Sequence, residues 1–208
     1  RDQRRGGGRD QKVNDLAMQK FRASFSVLTM WSSGRYQDAV AAYFKLESFT
    51  TPQMELGKAL HEEWEHEVQR TGCMPQVFGG KPLKDPKTER KIVKEIEPWL
   101  DLVGVIDLLD SPRVIDYKSG VTSAAQYANS PQGGIYALLA TLDGVYVDRV
   151  EIHRYNPYNK KSDMAIRWVT DRMLAETVEY VKTTSAEMHQ YLIVNDLYTK
   201  LGKEVTKV

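Results

Sequence analysis

The sequence has a single cysteine, Cys73, among its 208 residues. This scarcity excludes an intramolecular disulfide and any metal site built from cysteine alone. Long apolar runs are absent as well, since no stretch approaches the roughly 20 residues that a membrane-spanning helix needs. The first residues are rich in Arg and Gly and lack the apolar core of a secretory signal. The default expectation is therefore a cytoplasmic, intracellular protein without a membrane partner.

An excess of one charge sign is also missing, because 29 Lys and Arg residues face 28 Asp and Glu residues. Net charge thus gives no argument for a polyanionic partner, although a balanced total can hide a local basic groove. A chain of this length normally forms one domain with a sizeable core.

Residues 1–12, RDQRRGGGRDQK, have a low-complexity composition with five basic and two acidic side chains. We predict a disordered, basic, Gly-rich tail. Loose nucleic-acid binding by this RGG-like segment is the alternative. The chain begins with Arg instead of Met. We therefore expect that it was trimmed, processed or cut from a longer chain.

A helical region is predicted over residues 13–74. Helical spacing in its first half is interrupted at residues 32–34, Ser-Ser-Gly, which predicts a helical hairpin. A further helix has Thr51 as N-cap, Pro52 in the first helical position and Gly72 as a stop signal. The inward face of this helix carries an apolar stripe of Leu56, Leu60, Trp64 and Val68.

Short β-branched runs follow a Pro- and Gly-rich loop over residues 75–88. Residues 90–97, 102–110 and 113–120 predict a three-stranded antiparallel meander. Ser111-Pro112 supplies a turn between the last two strands.

The remainder of the chain predicts a helix beginning near Ser130, then two strands in VDRVEIHRYNP and MAIRWVT. A long amphipathic helix follows from Asp171 to about Tyr191. The predicted fold class is therefore α/β. We expect a single domain over residues 13–208, with its core over residues 89–208.

Asp107 and Asp116 each interrupt an otherwise apolar strand, in GVIDLL and RVIDYKSG. A carboxylate there is costly to bury unless it is paired or binds a cation. Two carboxylates on adjacent strands can converge on one point, and Mg²⁺ and Mn²⁺ prefer oxygen ligands. Lys118 follows Asp116 by two residues, so both side chains leave the strand on the same face. The ammonium could orient an attacking water there, whereas a surface ion pair is the alternative for Asp116 and Lys118 alone.

Three further side chains have both a functional and an ordinary interpretation. His61 lies on the apolar face of its helix, one turn after Gly57, which would let the helix approach the sheet closely. It is a candidate ligand for a transition metal such as Mn²⁺, or else a core histidine with satisfied hydrogen bonds. Gln132 and Tyr136 lie four residues apart on one helix face, where each could equally be structural.

Together these segments resemble the RecB-type branch of the PD-(D/E)XK nuclease superfamily, which includes the CRISPR adaptation nucleases. The motifs follow the family's order over about residues 25–140: Gly57-x-x-x-His61, Gly104-Val-Ile-Asp107, Asp116-Tyr-Lys118 and Gln132-x-x-x-Tyr136. The resemblance implies a restriction-endonuclease-like core, a central mixed β-sheet flanked by helices, after an N-terminal helical region. Some relatives hold an iron–sulfur cluster through four cysteines, and this chain cannot form such a cluster with Cys73 alone.

The resemblance also implies a role for each matching position. The metal ligands would be His61, Asp107, Asp116 and the backbone carbonyl of Tyr117. Lys118 would assist the attacking water, while Gln132 and Tyr136 would support the site and contact the nucleic-acid backbone. The implied activity is Mg²⁺- or Mn²⁺-dependent hydrolysis of DNA, by an exonuclease acting on ends or single strands. The setting would be phage, plasmid, bacterial or archaeal, and a helicase, recombination or CRISPR protein would be a partner.

Basic residues gather in two places where nucleic acid could lie. Lys84, Lys87 and Arg90 belong to a group of cations over residues 81–94. Arg154 opens a turn, RYNPYNKK, in which aromatic residues alternate with cations. Phosphate neutralisation and base stacking would suit single-stranded DNA or a frayed end. Solvated loops are the alternative interpretation for both groups.

A catalytically inactive nucleic-acid-binding or assembly module of the same fold is the alternative to a nuclease. The joint presence of His61, Asp107, Asp116 and Lys118 argues against it, because a decayed site usually loses one such residue. The sequence has no GxSxG elbow, Walker A loop or HExxH motif. Serine hydrolase, P-loop NTPase and zincin functions therefore have no support.

Overall fold

Strands and helices follow one another in short blocks along the part of the chain that the computed structural model describes, residues 20–46 and 50–205. The predicted tail at residues 1–12 lies outside these residues. The strands are β1 (Phe21–Ser24), β2 (Lys87–Glu97), β3 (Leu100–Asp110), β4 (Arg113–Ser119), β5 (Arg149–Asn156) and β6 (Lys161–Trp168). The helices are α1 (Phe25–Ser32), α2 (Tyr36–Tyr43), α3 (Pro52–Thr71), α4 (Ala124–Ala128), α5 (Pro131–Leu142), α6 (Asp171–Val194) and α7 (Leu197–Val205).

Local sequence signals set the two ends of α3 as predicted. The Thr51 hydroxyl accepts a hydrogen bond from the Met54 N–H at 3.2 Å, and Pro52 is the first helical residue. Gly72 closes the helix with a left-handed φ of 65°, a conformation that glycine adopts without steric cost. The predicted hairpin is confirmed too, because α1 and α2 are separated by residues 33–35.

The strands form one mixed sheet with the hydrogen-bonded order β1-β3-β4-β5-β6, in which β2 also pairs with β3. The β3–β4 and β5–β6 pairs are antiparallel, whereas β4 and β5 are parallel. A parallel pair needs a long crossover, and the segment carrying α4 and α5 provides it. The predicted α/β fold with a central mixed sheet is therefore confirmed.

The described residues divide into two compact units. The first unit consists of residues 20–46, 95–102 and 179–205. In it, Phe21 stacks on Tyr43 with ring centroids 4.8 Å apart, and His189 Nδ1 lies 2.7 Å from the Tyr198 hydroxyl. Strand β1 and helix α7 were not predicted from the sequence.

The second unit consists of residues 50–94 and 103–178 and contains the candidate site. Helix α5 is buried from Gln132 to Ala140. A second layer of the core packs α3 against β3 and β4, through Trp64, Val68, Met74, Leu108, Ile115 and Tyr117. No helix in the described part of the chain is long and apolar enough to cross a membrane.

Candidate active site

The candidate site lies where β3 and β4 separate. Their antiparallel ladder runs from Asp110↔Arg113 to Leu108↔Ile115 and then stops. The next residues along the two strands are Asp107 and Asp116. The Asp107 side chain enters the gap, and its Oδ2 accepts a hydrogen bond from the Tyr117 N–H at 2.8 Å. The two strands thus bring the carboxylates of Asp107 and Asp116 together. The Asp107 carboxylate accepts the hydrogen bond of the Tyr117 N–H that a backbone carbonyl of β3 would accept in a regular ladder.

Asp116 and Lys118 form a close ion pair on β4. The Lys118 ammonium donates a hydrogen bond to Asp116 Oδ1 at 2.8 Å and lies 2.7 Å from Oδ2. The Asp116 side chain is 1% exposed, so the ammonium is its main polar contact. Strand β4 stays regular here because it is paired with β5, with Asp116 opposite Ile152 and Lys118 opposite Arg154.

One ammonium does not balance two buried carboxylates. Burial raises the pKa of Asp107, and the neighbouring Asp116 carboxylate raises it further. Burial also raises the pKa of Asp116, and Lys118 opposes that shift. The pair therefore favours a bound cation or a proton.

His61 reaches the same carboxylates from α3. Its Nδ1 lies 3.7 Å from Asp107 Oδ2, and its ring packs on Trp64. Burial, followed by the charge of Lys118, lowers the pKa of His61 to about 4. The imidazole is thus neutral at pH 7, which is the form that binds metal ions. Gly57 permits this approach, because a Cβ there would lie 2.9 Å from Ser119 Oγ.

Gln132 and Tyr136 approach the site from α5. Gln132 Nε2 donates a hydrogen bond to the Tyr136 hydroxyl at 3.0 Å, and both side chains are buried. Burial raises the pKa of Tyr136, and Asp116 and Asp107 raise it further. Gly104 lets α5 approach the sheet, since a Cβ there would lie 2.6 Å from Leu139 Cδ1.

An open cleft of about 510 Å³ lies on the Asp107 side of this site. His61, Asp107 and Tyr136 line it, together with acidic side chains that sequence reasoning missed: Glu62, Glu65 and Glu89. Glu65 follows His61 by four residues, a helical spacing that could have revealed it. Glu89 offers no sequence signal, because its position depends on a left-handed φ of 45° within β2.

The donor set fits a hard divalent cation only in part. In residues 20–46 and 50–205, no three His, Cys, Asp or Glu side chains form a ready metal cluster. Mg²⁺ commonly takes one or two carboxylates and completes its shell with waters and substrate phosphates. Asp107 and Asp116 match that requirement, and the neutral His61 lies next to them.

The cations predicted to contact DNA do not line this cleft. Lys84 borders a separate cavity, and Lys87 is exposed and pairs with Asp85 at 3.4 Å. Arg90 pairs with Asp143. Arg154 is largely buried, with its Nε 2.6 Å from Asp163 Oδ1, so its charge is already neutralised. A DNA contact by any of these four cations stays a prediction.

The fold is that of a restriction-endonuclease-like core. A family model for the PD-(D/E)XK nuclease superfamily matches residues 8–197, and the chain belongs to this superfamily. The RecB-type branch stays a prediction. No curated protein matches the chain by sequence.

Solved structures with the same fold are similar over nearly the whole chain. A presumed exonuclease from Eubacterium rectale is 12% identical, with 94% of this chain and 88% of that chain covered and a TM-score of 0.55. The alkaline exonuclease from Laribacter hongkongensis is also 12% identical, with 93% and 98% covered and a TM-score of 0.55. The complex of that enzyme with dAMP has a TM-score of 0.51. At this identity the likeness shows a common fold.

Proposed function

We propose that the protein is a Mg²⁺- or Mn²⁺-dependent deoxyribonuclease. The observation that carries the proposal is the group formed by Asp107, Asp116 and Lys118, two carboxylates on adjacent strands with an ammonium against one of them. The neutral imidazole of His61 beside Asp107 adds a third candidate ligand for a cation, after the two carboxylates. Membership of the PD-(D/E)XK nuclease superfamily supports the same activity.

The reaction is hydrolysis of a phosphodiester bond. The ligands of the cation would be His61, Asp107, Asp116 and the carbonyl of Tyr117. When bound, the cation would polarise the scissile phosphate and lower the pKa of the attacking water. Water oxygen bonds to phosphorus as the bond to the 3′-oxygen breaks, which leaves a 5′-phosphate and a 3′-hydroxyl.

The protein's own side chains orient this reaction. Lys118 holds its ammonium against Asp116, where it can hydrogen-bond the attacking water or stabilise charge on a phosphate oxygen. Gln132 fixes the Tyr136 hydroxyl beside the cleft, where it can donate a hydrogen bond to the nucleic-acid backbone. Water reaches the phosphate through the open side of the cleft.

We further propose that the enzyme acts as an exonuclease on DNA ends or single strands. The similar solved structures from E. rectale and L. hongkongensis carry exonuclease names, and the second has been solved with a deoxynucleotide. The cleft is lined by several acidic residues, and closely spaced carboxylates repel a long polyanion. Such a cleft is better suited to the few phosphates of a DNA end than to a long duplex.

The test measures DNA hydrolysis by the purified protein with Mg²⁺, with Mn²⁺ and with EDTA. We expect hydrolysis only with metal, and a loss of at least about 10²-fold in Asp116→Asn and Lys118→Ala. The matched controls Asp85→Asn and Lys45→Ala change exposed side chains and should retain full activity. Activity in the site variants would place hydrolysis elsewhere or in a contaminant.

The choice of DNA substrate tests the end requirement. Linear DNA should be degraded, whereas closed circular DNA should persist. Blocking either the 5′ or the 3′ end then gives the polarity. A parent protein that binds DNA but cleaves none of these substrates would favour the inactive binding module.

A further inference from the structure

A second cavity of about 330 Å³ opens beside Ser119 at the end of β4. Its walls come from four elements of the second unit: Leu56 from α3, Val121 from the loop after β4, Tyr127 from α4 and Tyr158 from the β5–β6 turn. These walls are largely apolar or aromatic. Val121 is 73% exposed and Tyr158 is 67% exposed, so the cavity presents apolar surface to solvent.

The cavity lies close to the candidate active site, because both include residues at the end of β4. Ser119 lines it and directly follows Lys118. The Lys118 ammonium also lies 5.8 Å from the centre of the Tyr127 ring, which forms part of the wall. A ligand group that stacks on the Tyr127 side of the cavity therefore lies near the Lys118 ammonium.

The exposed ring of Tyr158 is carried by an ordered turn. The Tyr158 N–H donates to Asn156 Oδ1 at 3.0 Å, and the Lys160 N–H donates to the Asn156 carbonyl at 2.8 Å. The Gly120 N–H donates to the Tyr155 carbonyl at 3.0 Å, which joins the Val121 loop to the end of β5. Hydrogen bonds thus hold the backbone of both loops, and an ordered backbone lowers the entropic cost of binding.

The aromatic walls of the cavity and the lysines near it suit a ligand that carries a flat aromatic ring on a negatively charged backbone. Aromatic side chains offer stacking surfaces that accept any base. Lys160 is exposed on the same turn as Tyr158, Lys161 is exposed at the start of β6, and no carboxylate lines the cavity. Its volume lies at the lower end of the range of about 300–1,000 Å³ for small-ligand pockets, which suits one nucleoside better than a stacked pair.

We propose that this cavity is a stacking subsite for one unpaired nucleobase beside the scissile phosphate. The proposal rests on the proposed nuclease function and narrows its substrate to a single strand or an opened end. A base would have to leave its pair to stack there, because the cavity has room for about one nucleoside.

The test compares binding of two probes of equal length and charge. One is a fluorescein-labelled oligothymidylate, and the other is the same backbone with abasic residues. Ca²⁺ replaces Mg²⁺ so that binding is measured without hydrolysis. We expect Tyr158→Ala to weaken oligothymidylate binding by about 5- to 100-fold, since stacking on an aromatic side chain contributes that much per base. The abasic probe should bind parent and variant equally.

Matched variants separate stacking from general damage. Tyr146→Ala removes a tyrosine that is 72% exposed and lies on another loop, and it should bind both probes as the parent does. Tyr158→Phe keeps the ring and should retain binding. Val121→Asp adds a carboxylate at an exposed position and should weaken binding of both probes. Thermal melting checks that each variant is folded.

The outcomes distinguish the subsite from the nuclease proposal. Equal binding of the two probes by the parent, or equal weakening of both by Tyr158→Ala, overturns the stacking subsite even if the parent cleaves DNA. Selective loss of oligothymidylate binding supports the subsite. A parent that shows this selectivity but cleaves no DNA overturns the nuclease proposal instead.

Discussion

The Nδ1 atom of His61 lies 3.7 Å from Oδ2 of Asp107. This separation is too long for a hydrogen bond, although α3 is in close contact with the neighbouring strand β4 through Trp64 and Tyr117. Two ligands at about 2.1 Å from one cation lie about 3 Å or more from each other. The distance between His61 Nδ1 and Asp107 Oδ2 is therefore compatible with the cation proposed to bind both side chains.

We expect His61→Ala to raise the Mn²⁺ concentration needed for half-maximal DNA hydrolysis by about tenfold or more, because the imidazole supplies one donor. Activity at saturating Mn²⁺ should fall much less. His66→Ala is the control, since His66 lies on the same helix but is exposed. Identical Mn²⁺ midpoints for His61→Ala and the parent would remove His61 from the ligand set.

Divalent metal should stabilise the folded protein. A ligand at about 100 times its Kd adds about 2.7 kcal/mol to the free energy of unfolding, so Mn²⁺ should raise the Tm relative to EDTA. Asp107→Asn should abolish this metal-dependent shift, and Asp85→Asn should retain it. Calorimetry with and without Mn²⁺ measures the difference. A full shift in Asp107→Asn would mean that the cation binds elsewhere.

Two tryptophans should differ sharply in their contribution to stability. Trp64 is 2% exposed and packs on Phe78 and Tyr117 beneath the site. Trp64→Ala should lower the free energy of unfolding by about 3–5 kcal/mol. Trp168 is 63% exposed on β6, and its replacement should cost less than about 0.5 kcal/mol. Urea titration of the two variants checks this, and similar losses would contradict the packing described.

The buried ionic network around Glu151 should make the free energy of unfolding depend on pH in the acidic range. Burial raises the pKa of Glu151, but hydrogen bonds from His153 and Arg149 and the charge of Arg113 outweigh it and hold the pKa to about 2. A carboxyl group with a depressed pKa contributes stability above its unfolded value and loses it as pH falls through its folded value. The parent should therefore lose stability between about pH 4.5 and pH 2.

Glu151→Gln should reduce that pH dependence and cost about 3 kcal/mol near neutral pH. Glu63→Gln, at an exposed position of α3, should leave the acid profile of the parent unchanged. Urea unfolding at several pH values provides the measurement. An unchanged slope in Glu151→Gln would assign the acid loss to other carboxyl groups.

Local chemistry explains which parts of the fold could be predicted. Thr51, Pro52 and Gly72 act on their own neighbours, so they revealed both ends of α3. Strand β1 has four residues and gains its order from pairing with β3, far along the chain. No local pattern marks such a strand. Helix α7 likewise depends on Tyr198 packing among Phe44, Tyr43 and His189.

The same distinction applies to the site. The spacing of Asp116 and Lys118 fixes them on one face of a strand, so their pairing was predictable. The neutralisation of Arg154 by Asp163 was not, because it depends on the register of β5 against β6. Glu89 enters the cleft through a single unusual φ angle. Counting cations in a sequence cannot tell which of them already have partners.

The hydrogen bond from the Tyr117 amide to Asp107 gives the site an internal spectroscopic reporter. The amide belongs to the backbone of β4, while its acceptor belongs to the proposed cation-binding pair. Any event that withdraws electron density from that carboxylate weakens the acceptor and moves the resonance of this one proton. In a ¹H–¹⁵N correlation spectrum, the Tyr117 cross-peak would thus follow occupancy of the site directly, without a labelled substrate and in a protein that is not turning over.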